Sequence, residues 1–326
     1  MSKKVNFRWA LNQALDEELA RDEKVFLIGE DIGRAGGTFG ITRNLYDKYG
    51  DLRVKDTPIS EEGIMGTAVG AALVGYRPIV DLMFMDFITI AMEQLANQAA
   101  KTYYFSGGKI KVPLVVRALA GGGFRAGGHH SQTLESWFTH VPGLKVVYPA
   151  TAYDAKGLLK ASIRDDNPVV FLEHKSLLSV KSEIPDEDYI IPLGKADIKR
   201  SGKDVTIITF GRMVHTCLEA AGELAETGVD AEVIDLRTLL PLDTETILES
   251  VRKTNHVIIV QEAPLHSGFG AEISALISEQ AIYELDAPIK RIAGAFTPIP
   301  VGTTEDFLYP KVQDVVSTAK SLVGGI

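Results

Sequence analysis

The sequence predicts an α/β protein made of two doubly wound domains. The chain has 326 residues, which is enough for two domains of ordinary size. Short apolar runs alternate with helix-like stretches, the pattern of a parallel sheet covered by helices. A polar stretch of little periodicity, between about residues 175 and 202, interrupts the alternation, which then restarts. We therefore predict a first domain over residues 1–180, a linker over residues 181–202 and a second domain over residues 203–326.

The composition limits the classes of partner and compartment. A net charge of -9 argues against nucleic acid and anionic membranes as main partners, because both need a basic surface. The single cysteine, Cys217, cannot form a disulfide within the chain, which favours a reducing compartment. No apolar run reaches the length of a membrane span. We expect a cytoplasmic protein.

The first domain begins with an amphipathic helix over residues 5–21. Apolar runs then predict five buried strands, at residues 25–28, 77–84, 112–117, 144–149 and 168–173. The first strand leads into a loop of glycines and acids over residues 29–37. Its spacing fails the dinucleotide fingerprint, because Glu30 and Asp31 stand where a second glycine is needed. We predict a polar loop at the carboxyl end of a strand, where ligands bind in open α/β folds.

A helix rich in small residues follows over residues 57–75. Thr57 can cap this helix, Pro58 suits its first turn, and the helix dipole favours the carboxylates of Glu61 and Glu62. Glycines recur along it at helical spacing, each costing on the order of 1 kcal/mol against alanine. The pattern predicts close packing against another helix. On these residues alone, a core helix with capping acids and a functional site both stay open.

The second domain repeats the alternation on a smaller scale. We predict strands at residues 204–210, 231–236, 256–261 and 288–292, and helices at residues 216–226, 243–252 and 270–284.

A glycine-rich loop over residues 121–132 carries two adjacent histidines, His129 and His130. Imidazole is the side chain suited to proton transfer near neutral pH, so the pair is a candidate for acid–base chemistry. A zinc site is not expected, since no further ligand stands at the required spacing. No Walker loop, nucleophile elbow or zinc-protease motif occurs in the chain. The residues alone indicate a two-domain α/β protein with an acid–histidine site.

Motifs along nearly the whole chain add a family resemblance. They lie at residues 29–31, 56–61, 77–79, 99–101, 130–132, 142–145, 154–158, 233–237, 241–243 and 262–264. In this order they resemble the beta subunit of the thiamine-diphosphate-dependent first component of the 2-oxo acid dehydrogenase complexes, a group that includes pyruvate, branched-chain and acetoin dehydrogenases. The resemblance implies a pyrimidine-binding domain followed by a transketolase-type C-terminal domain.

The resemblance also implies roles for particular residues. Glu61 matches the carboxylate that bonds the ring nitrogen of the cofactor's aminopyrimidine, and the cofactor then acts as nucleophile and electron sink. Phe87 matches the aromatic residue that stacks on the pyrimidine, and Ile59 and Met83 match its apolar neighbours. His130 matches the histidine that positions substrate and assists acyl transfer to a lipoyl group. His129 departs from the residue usual at its position.

The chain lacks the G-D-G motif that binds magnesium and the diphosphate. The resemblance therefore implies half of an active site, with an alpha subunit supplying magnesium and the other half in an α2β2 heterotetramer. A lipoyl-bearing acyltransferase would dock on the second domain near Ile326. Some members bind potassium through backbone carbonyls, at positions that match Val112, Leu114, Ser162, Asp165 and Asn167.

The substrate and the alternatives stay open. Residues 82–84 and 123–126 resemble acetoin dehydrogenases more than branched-chain members, and pyruvate is a further candidate. The alternatives are a non-catalytic scaffold subunit, a self-contained transketolase-like enzyme and a nicotinamide oxidoreductase. Glu61 and His130 argue against the scaffold, the missing diphosphate motif against the self-contained enzyme, and the imperfect glycine loops against the oxidoreductase.

Overall fold

The computed structural model describes residues 2–324 and divides into two compact units. The first unit contains the chain up to Ala120 together with Trp137–Leu193. The second contains Gly121–Ser136 together with the chain from Gly194 onward. The histidine loop therefore groups with the second unit. The predicted domain boundaries stay a prediction, although residues 181–202 hold two of the strands given below.

The helices and strands alternate along the chain. The strands are β1 Ser2–Asn6, β2 Val25–Gly29, β3 Val54–Asp56, β4 Arg77–Phe84, β5 Val115–Ala120, β6 Lys145–Val147, β7 Val169–His174, β8 Lys181–Pro185, β9 Asp197–Arg200, β10 Val205–Thr209, β11 Ala231–Asp235, β12 Thr238–Leu240, β13 Val257–Pro264 and β14 Lys290–Gly294. The α-helices are α1 Phe7–Arg21, α2 Leu45–Tyr49, α3 Glu61–Leu73, α4 Met85–Ile88, α5 Ala100–Phe105, α6 Glu135–Thr139, α7 Ala152–Arg164, α8 Met213–Glu226, α9 Thr244–Thr254, α10 Phe269–Ala281 and α11 Val312–Val323. Glu93–Ala99 forms a π-helix, and Lys175–Leu177, Ile282–Glu284 and Thr303–Phe307 form 3₁₀ helices.

The sheet of the first unit is parallel and doubly wound. Its six strands run in the order β6-β7-β5-β4-β2-β3. From β2 the chain passes first to β3 on one side and then to β4 on the other. This reversal makes the carboxyl ends of β2 and β4 a switch point, where a crevice opens for ligands. Helices α1 and α7 share the core with these strands, through residues such as Leu11, Leu15, Leu158 and Leu159.

The sheet of the second unit has the order β14-β13-β10-β11-β9. Its pairs are parallel except for β9, which pairs antiparallel with β11. From β10 the chain passes to β11 on one side and later to β13 on the other, so the switch point lies between β10 and β13. The predicted α/β fold class is confirmed. No helix among residues 2–324 is both long and apolar enough to cross a membrane.

The small-residue helix α3 begins later than the sequence predicts. Its first residue is Glu61, and Ser60 takes the cap position, so the predicted start at Thr57 is wrong. The backbone N–H of Thr57 donates to the carbonyl of Gly29 at 3.0 Å, which holds the segment against β2 instead of in a helix. Of the glycines on this helix, Gly66 packs against the side chain of Gln94. A Cβ added at Gly70 would meet nothing within 4 Å. This helix face is open in the described chain, with Leu73 and Val74 exposed beside it.

A buried ion network ties three neighbouring strands together at the switch point of the first unit. Arg117 on β5 donates to both carboxylate oxygens of Glu173 on β7, at 2.7 and 2.9 Å. Its remaining Nη1 donates to Oδ2 of Asp81 on β4 at 3.0 Å. Burial alone would lower the pKa of Arg117, but the two carboxylates hold that pKa above its ordinary value. The guanidinium therefore stays charged inside the sheet.

We predict that Arg117→Met destabilises the first unit by about 3–5 kcal/mol, because it leaves the buried carboxylate of Glu173 without its partner. Urea and thermal unfolding measure the change. The double variant Arg117→Met/Glu173→Leu should recover most of it, since no unpaired charge is then buried. Lys48→Met, which breaks an exposed ion pair with Asp16, should cost less than about 1 kcal/mol. An Arg117→Met protein as stable as the parent would contradict the prediction.

Candidate functional site

The two carboxylates of Glu30 and Glu61 lie together at the switch point of the first unit. Glu61 is only 8% exposed at the first position of α3, where the helix dipole favours a negative charge. Glu30 follows β2, and its carboxylate accepts the backbone N–H of Ser60. Burial, and then the neighbouring charge of Glu61, raise the pKa of Glu30. A carboxyl group with a raised pKa beside a second carboxylate is an arrangement suited to holding a proton.

Met83 has a strained backbone at the end of β4. Its φ of 60° is in the left-handed region, beside a break in the strand register between Asp81 and Phe84. The N–H of Met83 donates to Oδ1 of Asp81 at 3.0 Å, and Oδ2 of the same carboxylate accepts from Arg117. The ion network therefore fixes this bulge. Non-glycine residues held in such conformations concentrate at ligand sites.

Aromatic and apolar side chains complete this side of the first unit. Phe87 on α4 is half-buried and packs edge-on against Phe84, with ring centroids 5.6 Å apart. Phe84 packs in the same way against Phe39, also at 5.6 Å. Ile59 is 81% exposed just before α3. The structure thus places Ile59, Glu61, Met83 and Phe87 in one unit, around the ends of β2 and β4.

The histidine loop, residues 121–132, lies in the second unit. The N–H of Gly121 donates to the carbonyl of Gln132 at 3.0 Å and closes the loop at its base. The N–H of His130 donates to the carbonyl of Gly127 at 3.1 Å, a backbone hydrogen bond within the loop. His130 is half-buried, and His129 is exposed and lines a cavity of about 530 Å³ within this unit.

Glu135 is a buried acid that follows the histidine loop. It is 1% exposed, and burial, followed by the nearby charge of Glu262, raises its pKa to about 7. This carboxyl group therefore takes up a proton close to neutral pH. Cys217, in contrast, is a buried thiol whose pKa burial raises to about 12, so it stays protonated and unreactive.

The five predicted potassium positions surround the turn between α7 and β7 and the start of β5. The carbonyl of Leu114 accepts the N–H of Val169 at 2.9 Å, and the carbonyl of Ser162 accepts the N–H of Asp165 at 3.2 Å. Asp165 caps the end of α7, where the helix dipole favours a cation, and its side chain bonds Lys145 and Asn167. Residues 2–324 contain no cluster of three or more histidine, cysteine or acidic side chains suited to a metal.

The sequence reasoning missed the charged residues inside the strands. Arg117 and Glu173 interrupt otherwise apolar runs of parallel strands that are buried on both faces. A charge in such a run requires a partner, and this is the signal that could have paired them. Glu135 gave no comparable signal, because its burial depends on the tertiary fold.

Comparison with known proteins identifies the family. Residues 3–181 match the transketolase pyrimidine-binding domain, and residues 194–315 match the transketolase C-terminal domain. The chain is 47% identical to the acetoin:2,6-dichlorophenolindophenol oxidoreductase subunit beta of Cupriavidus necator, over 100% of this chain and 99% of that protein. It is 49% identical to the mitochondrial pyruvate dehydrogenase E1 component subunit beta of Dictyostelium discoideum, covering 98% and 91% of the two chains. It is 47% identical to the 2-oxoisovalerate dehydrogenase subunit beta of Bacillus subtilis, covering 95% of each.

The chain belongs to the beta subunits of the thiamine-diphosphate-dependent 2-oxo acid and acetoin dehydrogenases. The predicted family and enzyme class are confirmed. A solved structure described as a split gene transketolase, an inactive beta4 tetramer, shares the fold with a TM-score of 0.80, at 24% identity over 98% of each chain.

The residues of this beta subunit fit the pyrimidine half of the cofactor. A ring with one basic nitrogen needs a carboxylate at its edge and apolar groups on its faces. Glu61 offers the carboxylate at a helix start, Phe87 an aromatic ring, and Ile59 a large apolar side chain that the rest of the described chain leaves exposed. The pyrimidine-binding domain implies thiamine diphosphate.

We predict that Glu135→Gln changes how the stability of the beta subunit depends on pH. An acid whose pKa is raised in the folded state stabilises the fold below its ordinary pKa of 4.5, and this stability is lost as pH rises to about 7. The variant should therefore gain stability over the parent at pH 7.5 by on the order of 3 kcal/mol, and lose that gain near pH 4.5.

Unfolding by urea at both pH values gives the difference between variant and parent, in which all other titrating groups cancel. The exposed Glu245→Gln serves as control and should match the parent at both values. A Glu135→Gln effect independent of pH would contradict the prediction.

Proposed function

We propose that this beta subunit forms half of the active site of an enzyme that cleaves acetoin, or decarboxylates a 2-oxo acid, and passes the acyl group to a lipoyl group of an acyltransferase. The observation that carries the proposal is the placement of Glu61 at the start of α3, beside Glu30, at the switch point of a pyrimidine-binding domain. Thiamine diphosphate, when bound, supplies the nucleophilic carbon and the electron sink.

The residues of the chain have separate tasks in this proposal. Glu61 holds a proton at the pyrimidine ring nitrogen, where its helix-start position and buried side chain keep it oriented. Phe87, Ile59 and Met83 contact the ring faces and exclude water. His130 hydrogen-bonds the substrate and holds a proton during transfer to the lipoyl sulfur.

An alpha subunit supplies the remaining half of the site. The open face of α3 supports this, because Leu73 and Val74 are exposed there, and Tyr104 and Phe105 are further large exposed side chains of the same unit. Exposed apolar surface of this kind marks interaction sites. The lack of a G-D-G motif in the sequence supports the proposal that the partner holds magnesium and the diphosphate. We propose an α2β2 heterotetramer in the cytoplasm, which docks an acyltransferase on the second unit; Ile326 lies outside the described residues.

The substrate proposed first is acetoin. Residues 82–84 and 123–126 support it through their resemblance to acetoin dehydrogenases. Identities of 47%, 49% and 47% to acetoin, pyruvate and branched-chain members are too close to rank the substrates. Activity of the co-expressed subunits on acetoin, pyruvate and branched 2-oxo acids distinguishes them. Activity of this chain without a partner would instead favour a self-contained transketolase-like enzyme.

We predict that Glu61→Gln lowers kcat with an artificial electron acceptor by at least about 100-fold, because an amide cannot exchange the proton at the pyrimidine nitrogen. The assay uses the co-expressed heterotetramer with thiamine diphosphate and magnesium, and size-exclusion chromatography confirms that the variant assembles. Glu62→Gln is the matched control, since Glu62 is the exposed neighbour on the same helix turn, and it should retain near-parent activity. Near-parent activity of Glu61→Gln would refute the assignment.

We also propose that carbonyl groups of Val112, Leu114, Ser162, Asp165 and Asn167 bind potassium. Their support is their position around the turn between α7 and β7 and the start of β5. Potassium chloride should then raise the thermal midpoint by roughly 3–5 °C over sodium chloride at equal ionic strength. Equal midpoints in the two salts would remove the site.

A further inference from the structure

Two buried carboxylates accept hydrogen bonds from the base of the histidine loop. The N–H of Gly122 donates to Oε1 of Glu262 at 2.7 Å, and the N–H of the next residue, Gly123, donates to Oε1 of Glu305. Glu262 lies near the carboxyl end of β13, at the switch point of the second sheet, and Glu305 lies in the 3₁₀ helix Thr303–Phe307. Both side chains are buried, and Glu305 is fully so. Strand β13 and this 3₁₀ helix, which both lie far along the chain from the loop, therefore hold two consecutive peptide groups of the loop by hydrogen bonds.

The base of the loop is tightly packed beside Gly122. A Cβ added to Gly122 would overlap the hydroxyl of Tyr309 and lie 2.6 Å from Oε1 of Glu305. Hydrogen bonds from N–H groups to carboxylates are about twice as strong as those between neutral groups. Removing either carboxylate would leave a peptide N–H without its acceptor, which is unfavourable where that N–H is buried.

The carboxylates of Glu262 and Glu305 in turn receive hydrogen bonds from the loop. Nη1 of Arg212, after β10, lies 4.0 Å from Oε2 of Glu262, beyond hydrogen-bonding distance. The charge of Glu262 also raises the pKa of the nearby buried acid Glu135. Buried carboxylates require hydrogen-bond donors, and the peptide groups of Gly122 and Gly123 provide them.

The outer part of the loop contacts the segment around Val301 and Asp306. Ala126 forms an isolated bridge with Val301, and the N–H of Gly302 donates to the carbonyl of Arg125 at 3.1 Å. The ion pair between Arg125 and Asp306, at 2.6 Å, is half-exposed, and exposed ion pairs of this kind contribute little to stability. The backbone of His130 is hydrogen-bonded to Gly127 in this outer part. The hydrogen bonds to buried carboxylates thus lie at the base of the loop.

We propose that Glu262 and Glu305 are positioning residues, whose carboxylates clamp the loop base and thereby hold His130 where acyl transfer needs it. The role of His130 rests on the proposed function, whereas the clamp itself is a property of the loop and can be tested alone. A displacement of about 1 Å at a reacting group can cost on the order of 100-fold in rate, so a loosened clamp affects transfer strongly.

The experiment compares Glu305→Ala, Glu262→Ala and Glu305→Gln in the assembled enzyme with its alpha subunit. The glutamine variant retains an oxygen that can accept the N–H of Gly123. Glu232→Ala is the matched control, because Glu232 is a fully buried carboxylate of the same unit that accepts the N–H of Gly202 instead. Glu305→Asp and Glu262→Asp, which keep the charge but withdraw it by one methylene, replace the alanine variants if those do not fold.

Two measurements separate clamping from general stability. The first is the rate of native-state trypsin cleavage after Arg125, which reports release of the loop whatever the enzyme's function. The second is the ratio of acyl transfer to a lipoyl domain over reduction of an artificial electron acceptor. In Glu305→Ala and Glu262→Ala we expect faster cleavage and a ratio lowered roughly tenfold or more. Glu305→Gln and Glu232→Ala should stay within about twofold of the parent on both.

Unchanged cleavage at Arg125 in the folded alanine or aspartate variants would overturn the clamp. Equal effects in Glu232→Ala would overturn it too, because they would show only a loss of general stability. Absence of lipoyl transfer in the parent enzyme would overturn the proposed function, and the cleavage rates would then decide the clamp alone.

Discussion

The buried charge of Arg117 is the constraint on which the first unit's site depends. A guanidinium inside a parallel sheet is stable only with its charge and its hydrogen bonds satisfied, and Glu173 and Asp81 do both. Asp81 in turn accepts the N–H of Met83 and keeps that residue in a left-handed conformation. The strand therefore bends at the switch point, where ligands bind in open α/β folds.

Each unit uses partly or fully buried carboxylates to shape a loop at a strand end. In the first unit Glu30 accepts the N–H of Ser60, directly before Glu61, so one acid positions the start of the helix that carries the other. In the second unit Glu262 and Glu305 accept the N–H groups of the glycine-rich loop. Burial makes these contacts strong, and it also makes the protonation of acids such as Glu30 and Glu135 depend on their neighbours.

Much of the fold could be predicted from the sequence, because the alternation of apolar runs and helical patterns is local. The strand that ends before Glu30 and the acidic start of α3 were visible in this way. The exact start of α3 was not, since the bond from Thr57 to Gly29 replaces a helical turn that local propensity favours. The grouping of the histidine loop with the second unit was also invisible, because Gly123 and its acceptor Glu305 are 182 residues apart.

We have proposed that this chain supplies half of a thiamine-diphosphate site. Titration calorimetry of thiamine diphosphate with magnesium, on the purified chain and on the chain co-expressed with its alpha subunit, tests it most directly. We expect little or no binding by the chain alone and one cofactor per beta subunit in the assembled enzyme. Tight, stoichiometric binding by the chain alone would contradict it and indicate a complete site within a single subunit.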